Sequence, residues 1–207
     1  MELILIACSK GKLAGGERGY QHSKRLRDAF GEATYNRLIE LRHELVSRCE
    51  KPLPRGPDLG FNGNESTAVY MPAYLRYTGK VYRVGRVKER YPGNKNVRLV
   101  IISAMYGLLD AGDLIQNYDL KMDDKVSNIH KNTWWKRQGL GNILEKYILA
   151  CRPVTIHDLL PNNYRAALEP WPPNSIRNIV KQYNFPPGLP WEVNGKRGEI
   201  LAQLLQS

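Results

Sequence analysis

Eight polar side chains that could carry out or support chemistry follow one short apolar segment of the chain. The segment is Leu99-Val100-Ile101-Ile102, and the polar residues lie within the seventeen positions after it. They are Ser103, Tyr106, Asp110, Asp113, Gln116, Asn117, Tyr118 and Asp119. Carboxylates activate water or stabilise a developing positive charge, amides read the polar edge of a ligand, and phenols provide stacking surfaces. This polar run is therefore the best candidate site in the sequence.

The apolar segment indicates where these side chains are held. A short continuous run rich in β-branched residues is typical of a strand that is buried on both faces of a sheet. In open α/β sheets, ligands bind in the crevice beyond the carboxyl ends of the strands. A second interpretation is an ordinary strand-to-loop connection, because Asp and Asn favour turns and Gly107 and Gly112 supply unusual dihedral angles.

Another strand followed by a polar loop begins the chain. Residues 2–8, ELILIAC, form an apolar run that predicts a central strand, and it leads into Ser9-Lys10-Gly11-Lys12. Backbone N–H groups and a lysine in such a loop can bind phosphate. The loop is not a P-loop, because the full Gly-x-x-x-x-Gly-Lys-Ser/Thr pattern is missing.

The charge balance points to an anionic partner. The chain has 31 Lys and Arg against 20 Asp and Glu, a net charge of +11 and a pI near 9.6. Such a balance most often indicates nucleic acid, although a solvated basic surface without a partner is the alternative interpretation. Residues 88–95, KERYPGNK, set Tyr91 among cations that include Arg90 and Lys95. That basic turn is typical of a nucleic-acid contact loop.

The alternation of strand and helix patterns predicts the fold. We expect a single α/β domain over residues 1–207, with a mixed or largely parallel central sheet flanked by helices. Residues 50–66 are expected to form an irregular Pro/Gly-rich loop, and residues 184–207 a linker and a final helix. The predicted helices are 22–48 with a break at Gly31, 67–77 capped by Ser66 or Thr67, 133–150, a short one after Pro161, and 195–205. The other predicted strands are an edge strand at 81–84, a buried strand at 153–156, and 176–180 as either a strand or a helical turn.

Two adjacent tryptophans, Trp134 and Trp135, lie in the predicted helix 133–150. Neighbouring positions on a helix point in different directions, so we expect one of the two rings to be exposed or packed under a loop. The three cysteines are far apart and have no metal-ligand spacing. Together with the lack of a signal peptide, this predicts a reducing, cytoplasmic location.

With these motifs in view, the chain resembles the YaaA-like family of peroxide-stress proteins. The resemblance lies in the strand and loop LILIACSKGK, in Tyr77-Thr78-Gly79-Lys80-Val81-Tyr82, in the central SAMYGLL segment followed by DLIQNY and LKM, and in residues 159–164. The chain departs from the family at Asp110-Ala111, where Arg-Pro is usual, at Asn117, where Pro is usual, and at Lys121, where Glu is frequent. The resemblance implies a compact α/β fold, a basic cleft and DNA binding. More distantly, such chains are similar to base-excising DNA glycosylases, some of which defend bacteria against phages.

The first hypothesis is accordingly an enzyme that flips a base out of duplex DNA and cleaves its N-glycosidic bond. Its catalytic residues would be Asp110, Asp113 and Asn117, which share a face if the loop turns helically. Ser103, Tyr106, Gly107, Tyr118 and Tyr82 would bind the substrate base, and Ser9, Lys10, Lys12, Arg90, Tyr91 and Lys95 would contact phosphate. His157 is a further candidate acid, or else an ordinary histidine at a strand end. The hypothesis calls for no metal ion and no other cofactor.

Two alternatives remain open. A DNA-binding protein without chemistry needs only the net charge, the basic turn around Tyr91 and a basic helix face. In that case the aspartates would be structural and would bond loop amides. A nucleoside or nucleotide hydrolase is the third hypothesis, but so much positive charge would be unnecessary for it.

Overall fold

The computed structural model describes residues 1–62 and 67–206. In chain order its strands are β1 (Glu2–Ala7), β2 (Met71–Pro72), β3 (Val97–Ser103), β4 (Gly107–Asp110), β5 (Leu114–Ile115), β6 (Lys125–Val126), β7 (Ile129–His130), β8 (Thr155–Asp158) and β9 (Val180–Gln182). Its helices are α1 (Lys24–Arg48), α2 (Ala73–Arg76), α3 (Lys80–Val84), α4 (Val87–Arg90), α5 (Lys131–Arg137), α6 (Leu140–Cys151), α7 (Asn162–Arg165) and α8 (Pro190–Leu204). Short 3-10 turns lie at Pro57–Leu59, Ala166–Leu168 and Arg177–Ile179.

Five strands form the central sheet, in the order β4-β3-β1-β8-β9. Strand β1 lies in the middle and runs parallel to β3 and β8, and β8 runs parallel to β9. The side chains of Leu3, Ile4, Leu5 and Ile6 are fully or almost fully buried, as expected for a strand with helices on both sides of the sheet. The predicted α/β class with a mixed, largely parallel sheet is confirmed.

The polar run after β3 contains a strand that the sequence analysis did not predict. The chain turns at residues 104–106 and returns as β4, which is antiparallel to β3. Gly107 makes this return possible, because its φ of 68° lies in the left-handed region. A Cβ atom at Gly107 would also lie only 2.7 Å from the ring of Trp135. The chain therefore does not turn helically here, and the condition under which Asp110, Asp113 and Asn117 would share a helix face is not met.

Helix α1 covers one face of this hairpin. The Ser23 hydroxyl caps its first turn by accepting a hydrogen bond from the backbone N–H of Leu26 at 3.2 Å. Gly31, with φ 72° and ψ 170°, interrupts the helix at the predicted position. The buried guanidinium of Arg42 donates to the carbonyls of Tyr106 at 3.0 Å and Leu108 at 2.9 Å. This side chain therefore ties α1 to the beginning of β4.

Two predicted elements that contact each other, α3 and α8, are placed differently in the structure. The expected edge strand at 81–84 is helix α3, because Val81 and Val84 lie three residues apart on the face that packs against α8. A Cβ at Gly198 of α8 would lie 2.6 Å from Val84, so the two helices approach closely. Helix α8 itself begins at Pro190, five residues before the predicted start at Gly195.

The predicted helix 133–150 is divided by Gly139, whose φ of 75° is incompatible with a continuing helix. Of the two outcomes expected for the tryptophans, exposure of one ring is excluded, because the exposed fractions of Trp134 and Trp135 are 2% and 0%. Trp135 donates from its indole N–H to the Ala104 carbonyl at 3.0 Å. The short helix α5 is packed against other elements on more than one side, and both rings are covered.

The region before α2 also differs from the prediction. Helix α2 comprises only Ala73–Arg76, because Met71 and Pro72 pair with β5 instead of extending the helix. Ser66, one of the two predicted caps, and part of the predicted loop 50–66 lie outside the described residues. Within the part of the chain that the structure describes, no helix is long and apolar enough to cross a membrane.

Candidate functional site

The predicted site residues divide between the two ends of the central sheet. Asp110 and Asp113 line a pocket of about 740 Å³ that also contains Met1 and Val97, which stand at the beginnings of β1 and β3. We call this the amino-edge pocket. Asn117, by contrast, lies with Lys10 and Lys12 beyond the carboxyl end of β1. Because β1 is six residues long, roughly 20 Å separates its two ends.

The larger of the two openings at the other end of the sheet is a crevice of about 690 Å³. We call it the carboxyl-edge crevice. It lies between the end of β1, helices α3 and α7, and the proline-rich linker before α8. Its position is the one at which open α/β sheets bind ligands. Its volume falls within the range of about 300–1,000 Å³ that is usual for small-molecule and cofactor pockets.

The loop after β1 forms one wall of this crevice. The Ser9 hydroxyl accepts a hydrogen bond from the Gly79 N–H at 2.8 Å and donates to the Gly11 carbonyl at 2.8 Å. A side chain at position 79 would collide with Ser9, since a Cβ there would lie 2.4 Å from its hydroxyl oxygen. Ser9 is therefore engaged in holding the loop, whereas the Lys10 side chain is exposed at the mouth of the crevice.

A shallower depression adjoins the crevice, and Lys10 lines both. We call it the Lys12 depression. Its volume is about 460 Å³, and its other polar walls are Lys12, Asn117, Tyr118 and Asp119. The structure thus brings together the predicted phosphate-binding loop and the end of the predicted polar run.

A chain of hydroxyl groups underlies the Lys12 depression. The hydroxyls of Tyr77 and Tyr118 are hydrogen bonded at 2.7 Å, and Tyr118 is hydrogen bonded to the Ser103 hydroxyl at 2.9 Å. Burial raises the pKa of Tyr118 well above its ordinary value, so this phenol remains protonated. The Lys12 ammonium lies 3.9 Å from the centroid of the Tyr118 ring, within the range of a cation–π contact.

Lys12 is a second titratable group that this environment perturbs. Removal from water lowers its pKa, and the nearby negative charge of Asp119 acts in the opposite direction. The side chain is half-buried rather than extended into solvent. A lysine whose pKa is lowered by burial carries a larger fraction of neutral amine at neutral pH than an exposed lysine does.

The carboxyl-edge crevice also contains residues that the sequence analysis did not assign to the site. Cys8 is hydrogen bonded to the Tyr164 hydroxyl at 3.2 Å, and the Asn163 amide donates to the Asp123 carboxylate at 3.0 Å. Tyr82, which was assigned, donates to the Ala7 carbonyl at 2.9 Å and forms part of the wall. Cys8 could have been found from sequence, because it ends the first apolar run directly before Ser9.

Asp119, in the adjoining Lys12 depression, is a further residue that the sequence analysis did not assign to the site. It belongs to the polar run after β3 and immediately follows Tyr118, which was assigned. The carboxylates that were assigned, Asp110 and Asp113, are nearer than Asp119 to the buried strand in sequence. The return of the chain as β4 carries those two residues away from the carboxyl edge and leaves Asp119 beside Lys12.

In the amino-edge pocket, Asp110 has an exposed fraction of only 1% and its oxygens are fully engaged. Its Oδ1 accepts from the Arg25 guanidinium at 3.1 Å and from the Gly112 N–H at 3.0 Å. Its Oδ2 accepts from the Tyr147 hydroxyl at 3.3 Å. These bonds are typical of a carboxylate that holds helices and a turn together.

Asp113 is bonded to the same turn but is in a different electrostatic state. Its Oδ2 accepts a hydrogen bond from the backbone N–H of Asp110 at 2.9 Å. Burial and, second, the adjacent charge of Asp110 raise the pKa of Asp113 to about 7. A carboxyl group with such a pKa can exchange a proton at neutral pH, so its predicted catalytic role remains a prediction.

The raised pKa of Asp113 predicts a pH-dependent stability. The unfolded carboxyl has a pKa near 3.8, so between that pH and about 7 the folded protein binds a proton that the unfolded chain has released. This contribution is fully present below the unfolded pKa and is lost as pH rises through the folded pKa. Between about pH 4 and pH 8, the free energy of unfolding of the wild type should fall relative to Asp113→Asn by up to about 4 kcal/mol. Urea unfolding across this range measures it, and parallel curves would contradict it.

The remaining predicted residues are packed into the fold. Tyr106 donates to Asp58 at 2.6 Å and accepts from the Gln116 N–H at 3.0 Å, so its hydroxyl is occupied. Gly107 is buried against Trp135. Arg90 donates to the Ala202 carbonyl at 2.7 Å near the end of α8.

Two of the predicted aromatic and imidazole groups have protein partners as well. Tyr91 is largely buried and accepts from Arg25 at 3.3 Å, while its neighbour Lys95 is exposed at the amino-edge pocket. His157 is bonded to the Tyr183 hydroxyl at 2.9 Å and lies 3.3 Å from the Glu2 carboxylate. Among residues 1–62 and 67–206, no three His, Cys, Asp or Glu side chains are grouped so that they could hold a metal ion.

Comparison with known proteins identifies a family. The sequence model of the family described as peroxide stress protein YaaA matches residues 3–187 of the chain. Curated proteins give no match to this sequence. The matched range includes the central sheet from residue 3 of β1 to the end of β9, the loop after β1 and the whole polar run after β3.

Proposed function

Since the chain belongs to the peroxide stress protein YaaA family, we propose that it binds DNA and excises a base by cleaving an N-glycosidic bond. One observation carries the proposal. The loop of residues 9–12, the Asn117 amide and the Asp119 carboxylate surround two adjoining openings at the carboxyl edge of the sheet. These are the groups that a flipped-out nucleotide requires.

The cations at this edge supply the contacts to phosphate. Lys10, Lys80 and Arg197 all line the carboxyl-edge crevice. The net charge of +11 favours a polyanion over a small neutral substrate. The hydrogen bond from the Gly79 N–H to Ser9 holds the backbone of the loop of residues 9–12 in place. Binding of a phosphate by Lys10 therefore costs little backbone conformational entropy.

The crevice itself has the walls that an extruded base needs. Tyr82 and Tyr164 provide aromatic surface, and the linker before α8 contributes Phe185 and prolines. The Asn117 amide stands in the adjoining depression, where it can contact the edge of a base. The phenol of Tyr118 is covered by Lys12, so its role is to hold that lysine and Ser103 rather than to stack on the base.

Departure of a base leaves positive charge on the sugar, and a nearby carboxylate stabilises it or activates water. We assign this role to Asp119, which lies in the Lys12 depression beside Asn117. Asp110 and Asp113 were the carboxylates expected from the sequence. Asp119 is preferred because the oxygens of Asp110 are occupied by Arg25, Gly112 and Tyr147 at the far end of the sheet.

The proposal is tested by incubating the protein with duplexes that contain normal bases, uracil or sugar-modified bases. Alkali then breaks the strand wherever a base has been released. We expect protein-dependent, alkali-labile breaks at one class of base, and we expect Asp119→Asn to lose them. Asp28→Asn, a change at an exposed carboxylate on α1, is the matched control and should retain them. The absence of breaks on every duplex that the protein binds would contradict the proposal.

A DNA-binding function without chemistry is the second candidate. The observation in its favour is the bonding of Asp110, which is what a purely structural aspartate would show. On this hypothesis the same duplexes are bound but no base is released, and Asp119→Asn binds DNA at least as tightly as the wild type. The alkali assay therefore separates the two candidates.

A further inference from the structure

We propose that Lys12 forms a Schiff base with the aldehyde of an abasic deoxyribose and that the protein cleaves the DNA strand there by β-elimination. This inference rests on the proposed function, because base excision produces the abasic site. It adds a second activity, strand scission, that base excision alone does not require. The chemical class of its substrate is an aldehyde on a phosphodiester chain.

The position of Lys12 supports the inference, because its amine is held in place at the site. The backbone at Lys12 pairs with Tyr77 in an isolated antiparallel bridge, and the Thr78 N–H donates to the Gly11 carbonyl at 2.9 Å. The Lys12 ammonium lies 3.9 Å from the centroid of the Tyr118 ring and 5.7 Å from that of Tyr77. A lysine on a flexible stem would sample many positions, whereas this one is fixed at the floor of a depression.

The surroundings of Lys12 favour nucleophilic behaviour. A lysine attacks carbonyl groups only as the neutral amine, and removal of the amine from water increases that fraction. The direction of the Lys12 pKa, lowered chiefly by burial, agrees with this requirement. Lys10 stands next to it at the mouth of the depression but is exposed, so it is suited to phosphate contact.

The reaction balances with the groups on hand. The amine lone pair of Lys12 adds to the C1′ carbonyl carbon of the ring-opened sugar. The hydroxyl group formed there takes a proton from solvent and leaves as water, which gives a protonated imine. The imine acidifies the C2′ hydrogen, which the Asp119 carboxylate accepts. The electron pair of that C–H bond forms the C2′–C3′ double bond while the C3′–O bond breaks, and the 3′-phosphate leaves with its electrons. Water then hydrolyses the imine, returning Lys12 and an unsaturated aldehyde.

The inference is tested on a duplex that already contains an abasic site, prepared by removing uracil with a separate enzyme. Sodium borohydride reduces the imine and locks the protein to the DNA. We expect the wild type to be trapped and the Lys12→Ala and Lys12→Arg variants to be trapped at least about a hundredfold less. Lys146→Ala, on the exposed face of α6, is the matched control, because it removes a lysine that lines neither opening and should leave trapping intact.

Peptide mapping of the trapped wild type keeps the test independent of how the variants fold. Attachment at Lys12 supports the inference, and attachment at another amine overturns it. Undiminished trapping in Lys12→Arg would overturn it as well. Base release is measured separately on intact duplexes. Base release without trapping would overturn this inference and leave the proposed function in place. Trapping without any base release would support this inference and contradict the proposed function.

Discussion

We expect the affinity of the protein for duplex DNA to fall by about a thousandfold or more between about 50 and 200 mM salt, the loss that accompanies the neutralisation of six or more phosphates. The reason is the release of condensed counterions from DNA, which becomes less favourable as bulk salt rises. The chain has the charge for this, with 31 basic against 20 acidic residues. Fluorescence anisotropy with a labelled duplex across the salt range measures the slope.

Variants locate the surface that carries this charge. Lys10 and Lys80 line the carboxyl-edge crevice, so Lys10→Ala and Lys80→Ala should each reduce the slope of log affinity against log salt by about one. Lys146→Ala, on the exposed face of α6, is the matched control and should leave the slope unchanged. An affinity that hardly changes with salt would remove the electrostatic argument for DNA.

The sheet could be predicted from the sequence because its central strands are continuous apolar runs. Residues 3–6 and 99–102 are buried on both faces, and in such strands the apolar pattern does not depend on which strands lie beside them. The break at Gly31 was predictable for a similarly local reason, since glycine lacks the Cβ that penalises a positive φ. The loop after β1 was predictable as well, because the polar residues 9–12 directly follow the apolar run of that strand.

The grouping of the site residues could not be predicted, because it depends on one turn. Gly107 adopts a left-handed conformation and sends the chain back beside β3. A helical continuation would have kept Asp110 near Asn117, and nothing in the spacing of these residues distinguishes it from a return of the chain as β4. Helix α3 could not be predicted for a similar reason. Its sequence is also compatible with a short edge strand, and its close packing against Gly198 of α8 is a contact between distant parts of the chain.

A comparison of two carboxylate variants decides which end of the sheet performs the chemistry. The Asp119→Asn change keeps the shape of the side chain and removes its charge. If Asp119 stabilises the charge on the sugar, single-turnover base release should fall by at least about a hundredfold, the usual worth of a positioned acid–base group. DNA binding should persist or tighten, because a negative charge beside Lys12 and Lys10 has been removed.

Asp113→Asn is the matched variant at the opposite end. The amide oxygen of Asn can still accept the hydrogen bond from the Asp110 N–H, so the turn should be preserved. We therefore expect Asp113→Asn to retain base release within a few-fold while showing the altered pH-dependence of stability. A hundredfold loss in Asp113→Asn with full activity in Asp119→Asn would instead place catalysis in the amino-edge pocket. Asp113 could act as a general acid there, because its pKa is near 7. Lys95 lines the same pocket and could contact a phosphate of the DNA.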